Sequence, residues 1–247
     1  MIQTPLFLLR LENCTYEFVR AGGLLVGRTM VTQAMWEEVM GYNPSNYIGP
    51  QIPVDNVSYQ DVQEFLRKLH DLTSLSFGHE VNFCLMSETE WNDVATDSFT
   101  VYRDSEIVTN AGLASGFQKL TIWSAENSNQ QPHPVAMNPP DENGLYDMYG
   151  NLWEICAVRP DREPGSATVS TPPRREDFND ALDYKRAELK YRLLRSRVVE
   201  MPLEIVLKGG AWNMSRQQCT KHSRIVVGEQ DRFANAGFRI CVEIESE

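Results

Sequence analysis

The chain has 247 residues, 42% of them hydrophobic, 10% aromatic and 23% charged, the balance of a globular protein with ample material for a core, which excludes a disordered or fibrous chain. Its 23 Lys and Arg stand against 34 Asp and Glu, and the net charge of −11 repels phosphate backbones and argues against general nucleic-acid binding. No run of about 18 apolar residues is present, so no membrane span is expected. The length suits one domain, residues 1–247, carrying an insertion.

Pro5 to Leu9 is a short apolar run with no basic stretch before it and no A-x-A site after it, so it does not read as a secretory leader, and a cytoplasmic protein is expected. From Thr32 to Tyr42, Met35, Trp36, Val39 and Met40 recur at helical spacing behind Thr32 as a cap. Turns follow at Asn43-Pro44-Ser45 and Gly49-Pro50. Ser58 caps a second helix, with Asp61 three positions on and Val62, Phe65, Leu66 and Leu69 as its apolar stripe. Ser87-Glu88-Thr89-Glu90 reads as a capping box that opens a third helix, with Trp91, Val94 and Ala95 on one face. Beyond Thr96 long periodicity is lost, and Gly, Asn and Pro punctuate short apolar pieces such as Leu120 to Trp123 and Val206 to Leu207, so loops are expected to dominate.

Composition shifts again at about residues 157–205. A Pro-rich stretch from Pro160 to Pro173 precedes Asp177 to Val199, where Leu182, Leu189, Leu193 and Leu194 fall on one side of a helix. Arg174, Arg175, Lys185, Arg186, Lys190, Arg192, Arg195 and Arg197 lie there, so this insertion reads as a solvated helix or as a docking site for an acidic partner. Cys14, Cys84, Cys156, Cys219 and Cys241 are odd in number and lack a C-x-x-C pair, which points to free thiols rather than to a disulfide framework or a zinc site.

The run Asn143-Gly144-Leu145-Tyr146-Asp147-Met148-Tyr149-Gly150-Asn151-Leu152-Trp153-Glu154 has two glycines for tight turns and two carboxylates seven apart. Such a loop folds onto itself, and oxygen ligands from side chains and carbonyls would suit a hard cation. The carboxylates have a second reading, in which they cap turns or pair with arginine. Upstream stand Gly27-Arg28, Val31 to Trp36, Pro53 to Tyr59 and Glu88-Thr89-Glu90-Trp91. Downstream come His133-Pro134-Val135, Lys208-Gly209-Gly210-Ala211-Trp212 and Gly237-Phe238-Arg239.

Together, and in this order, these segments resemble the family of the formylglycine-generating enzyme, or sulfatase-modifying-factor domain, over roughly residues 24–155 and 206–242. The resemblance implies an α+β, loop-rich C-type-lectin-like fold. It also implies a structural calcium held by the side chains of Asp147 and Glu154 and the carbonyls of Gly150 and Leu152. Gly209 and Gly210 read as a close backbone approach, Trp212 as a core wedge, and Phe238 and Arg239 as part of the last core strand, with Arg239 pairing internally.

The family's enzymes use two cysteines five residues apart to bind copper(I). Here Cys219 takes the first position and Arg224 the second, and Arg224 cannot ligate a metal, so no copper is expected. The histidines, His70, His79, His133 and His222, form no cluster like the iron site of the family's sulfoxide synthases. The pattern is instead similar to non-catalytic members such as the variable proteins of diversity-generating retroelements. On that resemblance Asn213, Met214, Ser215, Gln217, Gln218, His222, Ile225, Val226, Val227, Phe233 and Ala234 would form a face that binds a protein or other macromolecule, mixing apolar contact area with adaptable amides. Ile225 to Val227 has a competing reading as a core strand. Trp91-Asn92-Asp93 spells the calcium motif of sugar-binding lectins, but it falls in a helix and is not taken as a sugar site. The expectation is a non-enzymatic ligand-binding protein. The alternatives are a copper oxidase with an altered site and a structural subunit that docks through the basic insertion.

Overall fold

A computed structural model describes residues 7–77, 81–96, 100–103, 106–109, 122–157 and 204–243, together with Tyr184, Lys185 and Glu188. The chain divides into two compact units, Met1–Val158 with Ile205–Glu247, and Arg159–Glu204. In the second unit Tyr184, Lys185 and Glu188 are helical. The rest of the helix expected over Asp177 to Val199, and most of its basic residues, lie outside the described residues.

The first unit begins with a meander of β1 (Phe7–Arg10), β2 (Thr15–Ala21) and β3 (Leu24–Gly27), each antiparallel to the next. Helix α1 (Gln33–Met40) starts where Thr32 Oγ1 accepts from the Met35 N–H at 3.3 Å, and it stops at Gly41, whose φ of 83° only glycine adopts without strain. Helix α2 (Tyr59–Phe77) is capped by reciprocal bonds: Ser58 Oγ accepts from the Asp61 N–H, and Asp61 Oδ2 accepts from Ser58 at 2.8 Å. Its buried stripe is Val62, Phe65, Leu66 and Leu69, as the spacing predicts. Strand β4 (Phe83–Leu85) leads to α3 (Glu88–Val94), whose start carries the complete Ser87/Glu90 capping box. Trp91-Asn92-Asp93 is helical.

The sequence reading expects loops after Thr96, and the structure corrects it with a hairpin of β5 (Thr100–Arg103) and β6 (Glu106–Thr109). The β-branched and aromatic residues Thr100, Val101, Tyr102, Ile107, Val108 and Thr109 were its signal. Further strands are β7 (Trp153–Ile155), β8 (Glu204–Lys208), β9 (Arg224–Gly228), β10 (Ala236–Gly237) and β11 (Ile240–Glu243).

Two larger sheets result, ordered β1-β2-β3-β11-β4 and β10-β7-β8-β9. Alternation along the first sheet sends Leu9, Tyr16, Phe18, Phe83, Leu85, Ile240 and Val242 into one apolar cluster with Trp36, Val62 and Phe65. Val19, Ala21, Val26 and Cys241 join a second cluster with Trp91, Val94, Leu145 and Met148. Rings order the first cluster: Trp36 stacks on Phe65 at 5.3 Å, and Phe238 meets both edge-on. Gly237-Phe238-Arg239 is therefore not one strand. Gly237 ends β10 in the four-stranded sheet, β11 begins at Ile240 in the five-stranded sheet, and Phe238 and Arg239 are buried where the chain changes sheets.

Candidate functional site

The Gly144 to Glu154 loop owes its shape to positive φ at Gly144, Asp147, Gly150 and Asn151. At Gly150 a Cβ would collide with the Trp123 carbonyl, so only glycine allows the approach. Asn151 is fully buried. Its Oδ1 accepts from the His133 N–H and its Nδ2 donates to the His133 carbonyl, both at 3.0 Å, while its own carbonyl accepts from the Trp212 N–H at 2.8 Å. His133 also stacks on Trp123 at 3.7 Å. Thus His133-Pro134-Val135, Gly150-Asn151 and the Gly-Gly-Ala-Trp turn, separate in sequence, meet at one asparagine.

At the end of the loop Glu154 is buried, and both its oxygens are engaged. Arg239 donates from Nη2 to Oε1 at 2.6 Å and from Nε to Oε1 at 3.1 Å, and Trp91 Nε1 donates to Oε2 at 3.0 Å. The rest of the guanidinium is satisfied by the carbonyls of Gly27 and Tyr146, at 2.8 and 2.7 Å. The paired carboxylate holds Arg239 above its ordinary pKa. Asp147, half-buried, accepts from the Ala136 N–H through Oδ2, and burial pushes its carboxyl up to about 6. As arranged, Asp147, Gly150, Leu152 and Glu154 do not fit a calcium ion. The guanidinium already supplies the cation at Glu154 and, with the Trp91 N–H, occupies both of its oxygens. Pairing with arginine, the second reading open in the sequence, is what the structure contains at Glu154.

Cys219 is buried behind Gly210, its thiol donating to the Ala211 carbonyl at 3.6 Å, and burial pushes its pKa up to about 11. A thiol kept protonated in this way is a poor ligand and nucleophile. Arg224, at the second cysteine position, pairs with Glu88 at the start of α3, Nε to Oε1 2.9 Å. Glu88 also faces the buried Lys208 Nζ at 3.7 Å, which lies over the Trp91 ring.

The segment between Trp212 and Asn235 is anchored at intervals. Arg216 N–H donates to Glu126, Cys219 is buried, Arg224 holds Glu88, and Arg232 binds Asp61 at 2.8 and 2.9 Å. The Glu229 and Phe233 carbonyls accept from the Gln60 and Asn56 N–H groups. Between the anchors Asn213, Gln217, Gln218, His222, Ile225, Val226 and Phe233 are exposed, whereas Met214, Ser215, Val227 and Ala234 are half-buried. Met214 and Val227 pack against the first apolar cluster, and Ser215 and Gln218 cap the single 3-10 turn Arg216–Gln218. Strand β9 is the outer strand of its sheet, and Ile225 and Val226, on its opposite faces, are each 41% exposed. The residues do form a strand, but not a core strand. Trp212 is a second correction: it is half-buried, edge-on to Tyr47 at 6.1 Å, not a core wedge. The sequence reading missed the anchors at Arg216 and Arg232; the charge of Arg232 was a signal, whereas Arg216 anchors through its backbone N–H, which no side chain announces.

The geometry is that of a C-type-lectin-like α+β fold with a buried Glu154–Arg239 ion pair and a long C-terminal segment tied to Glu126, Glu88 and Asp61. The model of the sulfatase-modifying factor enzyme 1-like domain matches residues 11–244, and the chain belongs to that family. Among solved structures it is similar to Treponema denticola variable protein 1, with a TM-score of 0.63 and 22% identity over 98% of this chain and 100% of that one. It is also similar to PvdO from Pseudomonas aeruginosa, with a TM-score of 0.58 and 17% identity over 98% and 100%. A curated relative, the chaperone protein LppX of Paenibacillus barcinonensis, is 25% identical over 169 residues. That match takes in 53% of this chain and 60% of the relative's length. Among the described residues no helix is long and apolar enough to cross a membrane.

Proposed function

We propose that this chain is a non-catalytic member of the family that binds a protein or other macromolecular ligand through the 213–234 face. The observation that carries the reading is the division of labour within that segment: buried or ion-paired anchors alternate with outward apolar and amide side chains, seven of which are exposed. Such a surface supplies contact area without depending on its own side chains for folding. A variable protein of Treponema denticola has the same fold, which supports reading the face as one whose residues change between copies, as in a diversity-generating retroelement.

The nearby DNA tests that origin. A near-copy of the codons for 209–239 that differs at adenines, beside a reverse transcriptase gene, is expected, and the lack of such a copy would overturn the diversification reading. Catalysis is tested separately by copper(I) titration and oxygen uptake with a sulfatase-type cysteine peptide. No turnover is expected, and turnover lost in Cys219→Ser would overturn the non-catalytic reading.

A further inference from the structure

We propose that Cys84 and Cys241 are a redox pair that closes to a disulfide between β4 and β11. The two residues are direct partners in the antiparallel register, and their sulfurs are 3.2 Å apart. Directly opposed residues of an antiparallel pair have Cα atoms about 4.5–5.5 Å apart, within the roughly 4.4–6.8 Å that a disulfide bridges. Both side chains point to the same face of the sheet. Each thiol also donates across the ladder, Cys241 to the Cys84 carbonyl at 3.3 Å and Cys84 to the Cys241 carbonyl at 3.6 Å. The sulfurs are thus held side by side by the ladder itself, and closing the bond brings them from 3.2 Å to about 2.05 Å.

The two sulfurs differ in access. Cys241 is fully buried in the second apolar cluster, whereas Cys84 sits on the outer strand and is half-buried. That asymmetry fits thiol–disulfide exchange with a small disulfide oxidant. The Cys84 thiolate attacks one sulfur of the oxidant, forms a mixed disulfide and releases the first small thiol. The Cys241 thiolate then attacks the Cys84 sulfur and displaces the second. Two electrons pass to the oxidant, and the two cysteine protons end on its two thiols. Cys14, Cys156 and Cys219 keep their thiols. The product joins residues 157 apart and fixes the outer strand of the five-stranded sheet to the strand beside it.

The experiment incubates the full native chain with oxidised glutathione, quenches with acid, removes the glutathione, alkylates with iodoacetamide in denaturant at mildly alkaline pH so that buried thiols react, and maps peptides by mass spectrometry. Alkylation is expected to fall from five cysteines to three, with one linked peptide pair containing Cys84 and Cys241, and dithiothreitol should restore all five. In 8 M urea, on the order of full denaturation for a domain of this size, the linkages should instead scatter among the five cysteines. Five alkylated cysteines after native oxidation would overturn the proposal, as would glutathione retained on Cys84 or a different linked pair. Cys84→Ser, at a half-buried position, should abolish the linked pair while the folded spectrum is kept. Because the wild-type mapping needs no variant, a Cys241 variant that fails to fold does not affect the result.

Discussion

Glu154 and Ile225 each lie on a strand of the same four-stranded sheet, and the two are treated in opposite ways. On β7 a charge is buried and every polar atom around it finds a partner: the carboxylate, the guanidinium of Arg239, the Trp91 N–H and two carbonyls. On β9 apolar side chains are left in solvent and only the charged residues at intervals are tied down. A fold that buries its ions and exposes its aliphatics has reversed the usual assignment in both places. The reversal at β7 holds the loop and the two sheets in register, and the one at β9 leaves a surface whose residues the scaffold does not need.

The comparison can be broken most forcefully at the hub. Arg239→Met leaves the Glu154 carboxylate buried without its partner, and a loss of about 3–5 kcal/mol is expected, the usual cost of orphaning a buried ion. Phe238→Ala, one residue earlier, should cost a similar 3–5 kcal/mol through the cavity it leaves beside Trp36 and Phe65. Urea midpoints for both variants measure this, and a small shift in either would remove the hub from the account.

A second test uses acidity. Asp55 is fully buried, its Oδ1 accepts from the Asn46 N–H, its other oxygen has no partner among the described residues, and burial pushes its carboxyl up from 3.8 to about 6. Between about pH 4 and 6 the folded chain holds this proton while the unfolded chain has released it, so stability should fall as pH rises through that window and level off above it. The shift corresponds to about 2–3 kcal/mol. Asp147 is raised in the same way and contributes over the same window, so Asp55→Asn should lessen the slope and Asp55→Asn with Asp147→Asn should lessen it further; a slope unchanged by Asp55→Asn would assign the dependence to other groups.

The exposed face should respond far less. Replacing Gln217, His222, Ile225, Val226 and Phe233 by other polar or small residues is expected to change stability by no more than about 0.5 kcal/mol each. Met214 and Val227, which touch the core, should cost more. If the outward five destabilise as much as Phe238, β9 is a structural strand and the binding reading loses its basis. The smallest effect is expected from calcium: with Arg239 on Glu154, chelator should leave the melting temperature unchanged, in the wild-type chain and in Asp147→Ala alike. A fall on chelation confined to the wild-type chain would place a metal at the loop after all.

How much of this was legible follows the range of the interactions. The three helices were readable because their signals are local: Thr32, Ser58 and Ser87 bond to the residue three positions on. The family was readable from its motifs. The partner of Glu154 was not, because Arg239 lies 85 residues away and no periodicity connects them, so the motif alone left cation and arginine equally open. The hairpin and the outer strands of the meander were hidden for another reason: strands of four residues are too short for alternation to rise above composition. Within residues 213–234 the sequence marked the outward residues by their mixed chemistry. It could not tell that Met214 and Val227 lean on the core, since that depends on which side of β9 and its preceding turn faces inward.

One consequence of the sheet order concerns the making of the protein. Strand β11 is late in the chain, yet it lies between β3 and β4, so the five-stranded sheet has a gap at its middle until residues 240–243 leave the ribosome. During synthesis the meander and the helices can form, but β4 has no neighbour to pair with, and Arg239, which neutralises Glu154, has not yet been added. Until residues 239–243 are made, the nascent chain therefore carries two unfinished sheet edges and an unpaired carboxylate, features on which aggregation competes with folding. Once β11 inserts, the five-stranded sheet and the Arg239–Glu154 ion pair are completed by the same few residues.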